Sequence, residues 1–179
     1  GKGAFPGTDD LYTGMLGMHG TKTSNLGVSE CDLLIAIGAR FSDRVLGNPK
    51  KFARHAKVLH IDVDPAEINK NVHVELGLVG DIRDSFKRIA EKCVAKSNPA
   101  WLARVRQLKE DELAFDAEIA AADSAPLTPK QVFDIINEEK LPASIITTDV
   151  GQHQMWTAQH VQFDKARRWV SSGGLGTMG

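Results

Sequence analysis

Asp32-Leu33-Leu34-Ile35-Ala36-Ile37-Gly38 is a short apolar run closed by a glycine. A strand of a parallel sheet, covered on both faces, reads this way; a buried helical turn is the competing reading. Downstream, Lys57-Val58-Leu59-His60-Ile61-Asp62-Val63 is rich in β-formers. It leads into Asp64-Pro65-Ala66-Glu67, where Asp64 can cap, Pro65 can take the first helical position and Glu67 stands three past the cap. A third strand is expected from Val72 to Val79, running into Gly80-Asp81. Asp81 then caps a helix with Ile82, Phe86 and Ile89 at near-helical spacing. Strands alternating with helices imply the α/β class and a parallel sheet.

From Asn98-Pro99 to about Asp123 the pattern becomes a charged helix with Trp101, Leu102, Val105 and Leu108 on one face, extended by Phe115 and Ile119. We read it as an interdomain connector. Asp123-Ser124-Ala125-Pro126 reads as a linker, and Thr128-Pro129-Lys130-Gln131 as a capping box opening a helix with Val132, Ile135 and Ile136. A second domain is expected from there, with strands at Ser144 to Asp149 and Arg168 to Ser171. The expected division is 1–96, 97–127 and 128–179.

Composition narrows the function classes. The 179 residues carry 22 Lys+Arg against 23 Asp+Glu with no long run of either sign, which argues against a nucleic-acid partner. Cys31 and Cys93 are far apart and form no C-x-x-C pair, as suits reduced thiols in a cytoplasmic protein. No stretch is apolar enough for a membrane span, and Gly1-Lys2-Gly3-Ala4-Phe5-Pro6 has no signal-peptide architecture. A glycine-dense turn after a strand normally leads into another element. The cluster Gly173-Gly174-Leu175-Gly176-Thr177-Met178-Gly179 therefore suggests an internal slice of a larger enzyme, inactive alone.

In open α/β sheets ligands bind beyond the carboxyl ends of the strands. Gly38-Ala39-Arg40-Phe41-Ser42-Asp43-Arg44 offers backbone amides, two guanidinium groups and a carboxylate there. Asp62 ends the second strand, where an acidic residue can accept from ribose hydroxyls; Asp64 is better read as a cap. No G-x-G-x-x-G, zinc-ligand spacing or nucleophile motif is present, so no residue is assigned a catalytic or a metal-binding role. His19 lies between glycines in Gly17-Met18-His19-Gly20, and His153 follows a strand in Gly151-Gln152-His153-Gln154. For His153, helix capping and ligand contact both stay open. His55, His60, His73 and His160 are expected to be structural or solvent-facing.

Six stretches taken in order carry a resemblance. They are Gly1 to Pro6, Gly14-Met15-Leu16-Gly17-Met18-His19-Gly20-Thr21, Gly38 to Arg44, His60-Ile61-Asp62-Val63-Asp64, Gly151-Gln152-His153-Gln154-Met155-Trp156, and Ser172 to Gly179. Together the chain resembles the catalytic subunits of acetolactate synthases (acetohydroxyacid synthases), thiamine-diphosphate enzymes of branched-chain amino-acid synthesis. The resemblance implies a three-layer parallel-sheet FAD-type middle domain, incomplete at its N-terminus, and the opening of a second α/β domain that binds thiamine diphosphate. On that match Leu16, Gly17, Met18, His19, Gly20, Gly38, Arg40, Val45, Asp62, Val63 and Asp81 would line FAD. Arg44 would meet the carboxylate of the incoming 2-oxo acid, oriented by Asp43; the family usually has Asp where this chain has Ser42. Val150, Gly151, Gln152 and His153 would flank the diphosphate, with Gly176 and Met178 beside the aminopyrimidine.

The implied reaction decarboxylates pyruvate and transfers the two-carbon unit to a second 2-oxo acid, giving 2-acetolactate or 2-aceto-2-hydroxybutyrate. The implied cofactors are thiamine diphosphate, Mg²⁺ and FAD, with none held tightly by these 179 residues alone. The implied partners are small 2-oxo acids, further copies of the subunit and, in an anabolic form, a regulatory small subunit. The family's activating glutamate and its Gly-Asp-Gly…Asn magnesium anchor are not in this sequence. Two alternatives stand beside it: another thiamine-diphosphate carboligase or FAD-dependent pyruvate oxidase, and a nucleotide-binding module without catalysis.

Overall fold

The computed structural model describes residues 2–122 and 127–179; the expected linker at 123–126 lies outside them. By internal contacts the chain forms two compact units, Asn25–Arg104 and Gly1–Ser24 with Val105–Gly179.

The unit Asn25–Arg104 is built on three parallel strands, β1 (Leu33–Ile37), β2 (Lys57–Asp62) and β3 (Leu76–Val79), in the order β1-β2-β3. The register pairs Leu34 with Val58 and Ala36 with His60, which puts these side chains on one face. That face packs on Phe41, Leu46 and Val74 to form the core, with Leu34, Phe52 and Val72 at its margin. The Phe41 ring stands edge-on to Phe52 and to His60, at 5.8 and 5.1 Å.

The other face departs from the expectation of a strand covered on both sides. Leu33, Ile35 and Leu76 are 53, 48 and 53 % exposed, although α3 (Ile82–Ala90) lies against β2. The chain exposes 12349 Å², whereas two separate bodies of half its mass would expose about 10,000 Å² together. An open apolar face next to an unpaired edge strand promotes association. Light scattering on the 179-residue chain should therefore give a mass above 19.5 kDa that falls when Leu33 and Ile35 are both changed to Lys. A strictly monomeric wild-type chain would show that this face is not adhesive.

Two boundaries differ from the sequence expectation. β3 begins at Leu76, because the Asn69 side chain accepts from Val74 N at 2.8 Å and Val72 and Val74 pack into the core instead of extending the strand. The expected helix after Asp64 is a single 3₁₀ turn, Pro65–Glu67. Asp64 caps it as expected, accepting from Ala66 N at 2.9 Å, but Ile68 is extended and Asn69 is left-handed, which turns the chain away. Asp81 caps α3 through its Oδ1, accepting from Arg83 N and Asp84 N at 2.8 and 3.3 Å.

The charged helix is α4 (Pro99–Ala122), and Val105 and Leu108 on it are buried. Phe115 and Ile119, expected on the same face, are 49 and 47 % exposed. Phe115 instead receives the Lys22 ammonium over its ring, 4.9 Å from the centroid.

In the other unit α5 (Pro129–Glu139) packs on α6 (Gln152–His160), and β4 (Ile146–Thr148) pairs in parallel with β5 (Trp169–Ser171). Residues 2–24 belong with these elements: Gly7 N donates to Phe163 O at 3.0 Å, Thr8 Oγ1 to Asp164 at 2.9 Å, and the Lys2 ammonium to Ala158 O. Burial lowers the Lys2 pKa to about 8.

The capping box forms as expected. Thr128 Oγ1 accepts from Gln131 N at 3.3 Å and Gln131 Oε1 accepts from Thr128 N at 2.8 Å. Thr128→Ala should cost about 1 kcal/mol, read as a lower denaturation midpoint; an unchanged midpoint would mean that α5 does not depend on this cap. No helix among the described residues is long and apolar enough to cross a membrane.

Candidate cofactor-binding loops

Three consecutive strands in parallel bring their carboxyl ends to one end of the sheet, and most candidate residues of this unit stand there. The loop after β1 carries Gly38, Arg40, Asp43 and Arg44; β2 ends on Asp62 and Val63; β3 runs through Gly80 to Asp81. Gly38 N donates to Ile61 O at 2.8 Å with φ 55°, and a Cβ there would stand 2.7 Å from Ile82 Cδ1. Glycine is therefore favoured where the loop turns over the sheet, chiefly by its left-handed φ.

Asp43 opens the single turn α2 (Asp43–Leu46), its carboxylate accepting from Arg44 N at 3.0 Å. The side chains of Arg40 and Arg44 are exposed and in no ion pair among the described residues, while Val45 is half-buried. Asp62 is buried, and its Oδ1 accepts from Asp64 N at 2.9 Å. Its Oδ2 lies 3.7 Å from Nε2 of His60. His60 is fully buried with neither ring nitrogen hydrogen-bonded. Asp81, by contrast, is committed to capping α3, and Val63 is exposed.

The glycine-flanked loop belongs to the other unit. Gly20 N donates to Gly17 O at 2.9 Å, Thr21 N to Met15 O at 3.0 Å, and Thr21 Oγ1 to Thr13 O at 2.6 Å, so both ends of the loop are pinned. Gln159 on α6 donates to Gly20 O at 3.3 Å. Leu16 and His19 are half-buried, Gly17 is buried, and Met18 projects at 56 % exposure. Leu16, Gly17, Met18, His19 and Gly20 thus share one loop, but they fall in a different unit from Gly38, Arg40, Val45, Asp62, Val63 and Asp81.

The second cluster lies past β4 and β5. Val150 N donates to Thr177 O at 2.9 Å, and Ser172 N to Thr148 O at 3.2 Å, so the loops leaving the two strands run together. Val150, Gly151, Gln152 and His153 form the entry to α6, with Gly151 as N-cap at φ 153°. A Cβ on Gly151 would meet His153 Nδ1 at 3.0 Å. Gly176, at φ 67°, has open space around it, and Met178 is 79 % exposed beside it.

Sequence reasoning had missed the polar groups that hold this arrangement. Asp149 accepts from Thr177 Oγ1 at 3.0 Å and Gly179 N at 3.2 Å, and buried Gln154 donates to Ser171 Oγ at 2.6 Å. The available signal was position, since Asp149 follows β4 as Asp62 closes β2.

Helix N-termini separate the loops electrostatically. The first amides of α1 (Lys22–Glu30) are taken by Glu112, whose carboxylate accepts from Lys22 N and Thr23 N at 2.7 and 3.0 Å. Asp81 occupies α3 and the Thr128 box occupies α5. At α6 the N-cap is a glycine with no side-chain cap. Its free amides and the positive end of its dipole make it the anion-accepting terminus among these four helices. His153 on its first turn is exposed and serves as no cap.

Among the described residues no group of three or more His, Cys, Asp and Glu could hold a metal ion. Residues 1–89 match the family model "Thiamine pyrophosphate enzyme, central domain", and residues 149–179 match "Thiamine pyrophosphate enzyme, C-terminal TPP binding domain". The chain belongs to the thiamine pyrophosphate enzyme family. The C-terminal match of this thiamine pyrophosphate enzyme chain begins at Asp149 and takes in the uncapped start of α6.

Relatives within the family are alike over the whole chain. It is 45 % identical over 188 residues to the probable acetolactate synthase large subunit of Methanocaldococcus jannaschii, covering 100 % of this chain and 31 % of that protein. It is 46 % identical over 183 residues to the acetolactate synthase large subunit of Parasynechococcus marenigrum, covering 100 % of this chain and 29 % of that protein. With the isozyme 2 large subunit of Escherichia coli identity is 43 % over 180 residues, again 100 % of this chain and 31 % of the relative. The chain thus spans less than a third of the length of these relatives.

Proposed function

We propose that these residues are part of an acetolactate synthase large subunit, and that the whole subunit decarboxylates pyruvate and transfers the two-carbon unit to a second 2-oxo acid. The products are 2-acetolactate or 2-aceto-2-hydroxybutyrate. The observation that carries this reading is the uncapped start of α6 beside Gly176 and Met178, in a chain 43 to 46 % identical throughout to subunits of that name.

The residues fit thiamine diphosphate. Val150, Gly151, Gln152 and His153 offer amides for the diphosphate, and Gly176 and Met178 offer accessible main chain and an apolar side chain for the aminopyrimidine. When bound, this cofactor supplies the carbon nucleophile that pyruvate itself lacks. The protein's part is to hold the diphosphate on the helix dipole and to set the ring against the main chain of 176–178.

FAD is proposed as a second cofactor, with Leu16, Gly17, Met18, His19, Gly20, Gly38, Arg40, Val45, Asp62, Val63 and Asp81 assigned to it. Asp62 keeps Oδ2 without a hydrogen bond, as an acceptor for sugar hydroxyls requires. Asp81, already a cap, would contribute main chain. Mg²⁺ is proposed for the whole subunit with ligands outside these residues, since none of the described clusters can hold a metal.

Arg44 is assigned to the carboxylate of the second 2-oxo acid and Asp43 to its orientation; an exposed guanidinium in no ion pair among the described residues suits that task. The division 1–96, 97–127 and 128–179, a cytoplasmic setting, assembly with further copies and a regulatory small subunit complete the proposal. Product analysis of the full-length protein with pyruvate tests it: 2-acetolactate is expected, and acetate with peroxide would assign the chain to an oxidase instead.

A further inference from the structure

We propose that Asp149 is a positioning residue that fixes the main chain of Gly176–Gly179 against the aminopyrimidine end of the cofactor; the proposal rests on the thiamine diphosphate reading above. Asp149 sits between the end of β4 and the N-cap of α6. Its Oδ1 accepts from Thr177 Oγ1 at 3.0 Å and from Ser172 Oγ at 3.5 Å, and its Oδ2 accepts from Gly179 N at 3.2 Å. The Ser172 and Thr177 hydroxyls also touch each other. Thr177 is held a second time, since its carbonyl accepts from Val150 N at 2.9 Å.

One side chain thus ties three points of the loop that leaves β5 to the strand end that precedes the diphosphate-facing helix. The start of that loop is closed by its own turn, with Leu175 N and Gly176 N donating to Ser172 O at 2.9 and 3.0 Å. Gln154 steadies the end of β5 from α6 through Ser171. What remains free is what a ligand needs: open space at Gly176, and Leu175 and Met178 side chains 87 and 79 % exposed. The carboxylate's hydrogen bonds among the described residues all go to the loop, so Asp149 acts through it.

Chemistry selects a carboxylate here. All three partners donate, and a carboxylate offers acceptor positions on both oxygens. In Asp149→Asn the carboxamide oxygen can keep Gly179 N–H while its NH2 donates to a hydroxyl oxygen, so the ties persist without the negative charge; in Asp149→Ala all are lost. Because α6 still holds the diphosphate, losing the ties misplaces the ring without releasing the cofactor. A misplacement of about 1 Å at the reacting centre costs on the order of 100-fold in rate.

The test uses the full-length subunit carrying Asp149→Asn, Asp149→Ala and Thr177→Val. For Asp149→Ala, kcat at saturating thiamine diphosphate should fall about 100-fold, with the half-saturating cofactor concentration within about 3-fold of wild type. Asp149→Asn and Thr177→Val should fall by less, and the double variant Asp149→Ala/Thr177→Val should be no worse than Asp149→Ala. Without cofactor, hydrogen exchange over 172–179 should gain fast-exchanging amides in Asp149→Ala while α6 keeps its protection.

If Asp149→Ala does not fold, Thr177→Val carries the same test in kcat and exchange. Unchanged kcat, unchanged exchange over the loop, or a loss confined to cofactor affinity would overturn the assignment of Asp149. A wild-type subunit indifferent to thiamine diphosphate would instead overturn the reading beneath it.

Discussion

Gly20→Ala in the full-length subunit should abolish flavin retention and lower stability by about 3 kcal/mol, the upper part of the range for overpacking. A Cβ at residue 20 would lie 2.3 Å from Met15 O and 2.9 Å from both N and O of Gly17. All three are backbone atoms, so no rotamer change relieves the clash. Relief means opening the Gly20 N to Gly17 O turn or the Thr21 N to Met15 O bond, and these two bonds hold the loop that presents Leu16 to His19. Gly27→Ala is the matched control. It lies within α1, where a Cβ meets nothing within 4 Å, and should stabilise the helix by about 0.5–1 kcal/mol. Absorbance of bound flavin and the denaturation midpoint report both outcomes, and a Gly20→Ala subunit with full flavin content would show that this loop does not hold FAD.

Arg44→Ala should lower kcat/KM for the second 2-oxo acid by about 30- to 4000-fold, whichever acceptor is used. Truncating one partner of a hydrogen-bonded charge pair that the bound substrate buries costs roughly 2–5 kcal/mol, and each 1.4 kcal/mol is tenfold. The fold should not suffer, because the side chain is exposed and its backbone N–H, the group that meets Asp43, remains. Arg44→Lys should recover only part of the loss, since an ammonium keeps the charge but not the planar fork. Initial-rate kinetics with pyruvate alone and with pyruvate plus 2-oxobutyrate make the measurement; unchanged constants for both would remove Arg44 from the acceptor site.

Local chemistry was the legible part of the sequence. Asp64, Asp81 and Thr128 cap as read, because a capping side chain and its amides lie within three residues of each other. Strand positions were also legible, since β1, β2, β4 and β5 each lie inside the run that predicted them. What failed depended on distant partners. Val72 and Val74 look like strand residues, but Val74 is a core residue held by Asn69 and Val72 packs at the core's margin. Phe115 and Ile119 keep the helical spacing of a buried face yet have no core to enter.

The loops show the same division. Glycines at 38, 151 and 176 announced themselves, and their positive φ angles explain why. Asp149 did not, because its partners Thr177 and Gly179 lie 28 and 30 residues away and only parallel pairing of β4 with β5 brings them close. His60 was left open between a structural and a solvent-facing place; its burial beside Asp62 and Phe41 is decided by the pleat of β2 and the return of the β1 loop.

Whether these loops serve thiamine diphosphate in an acetolactate-forming enzyme is tested by pyruvate turnover of the full-length subunit, stripped of cofactors and then given thiamine diphosphate, Mg²⁺ and FAD together or with thiamine diphosphate omitted. We predict 2-acetolactate and carbon dioxide with the complete set and none without thiamine diphosphate. Equal turnover without it, or no 2-acetolactate from the complete set, would rule out this role for the loops.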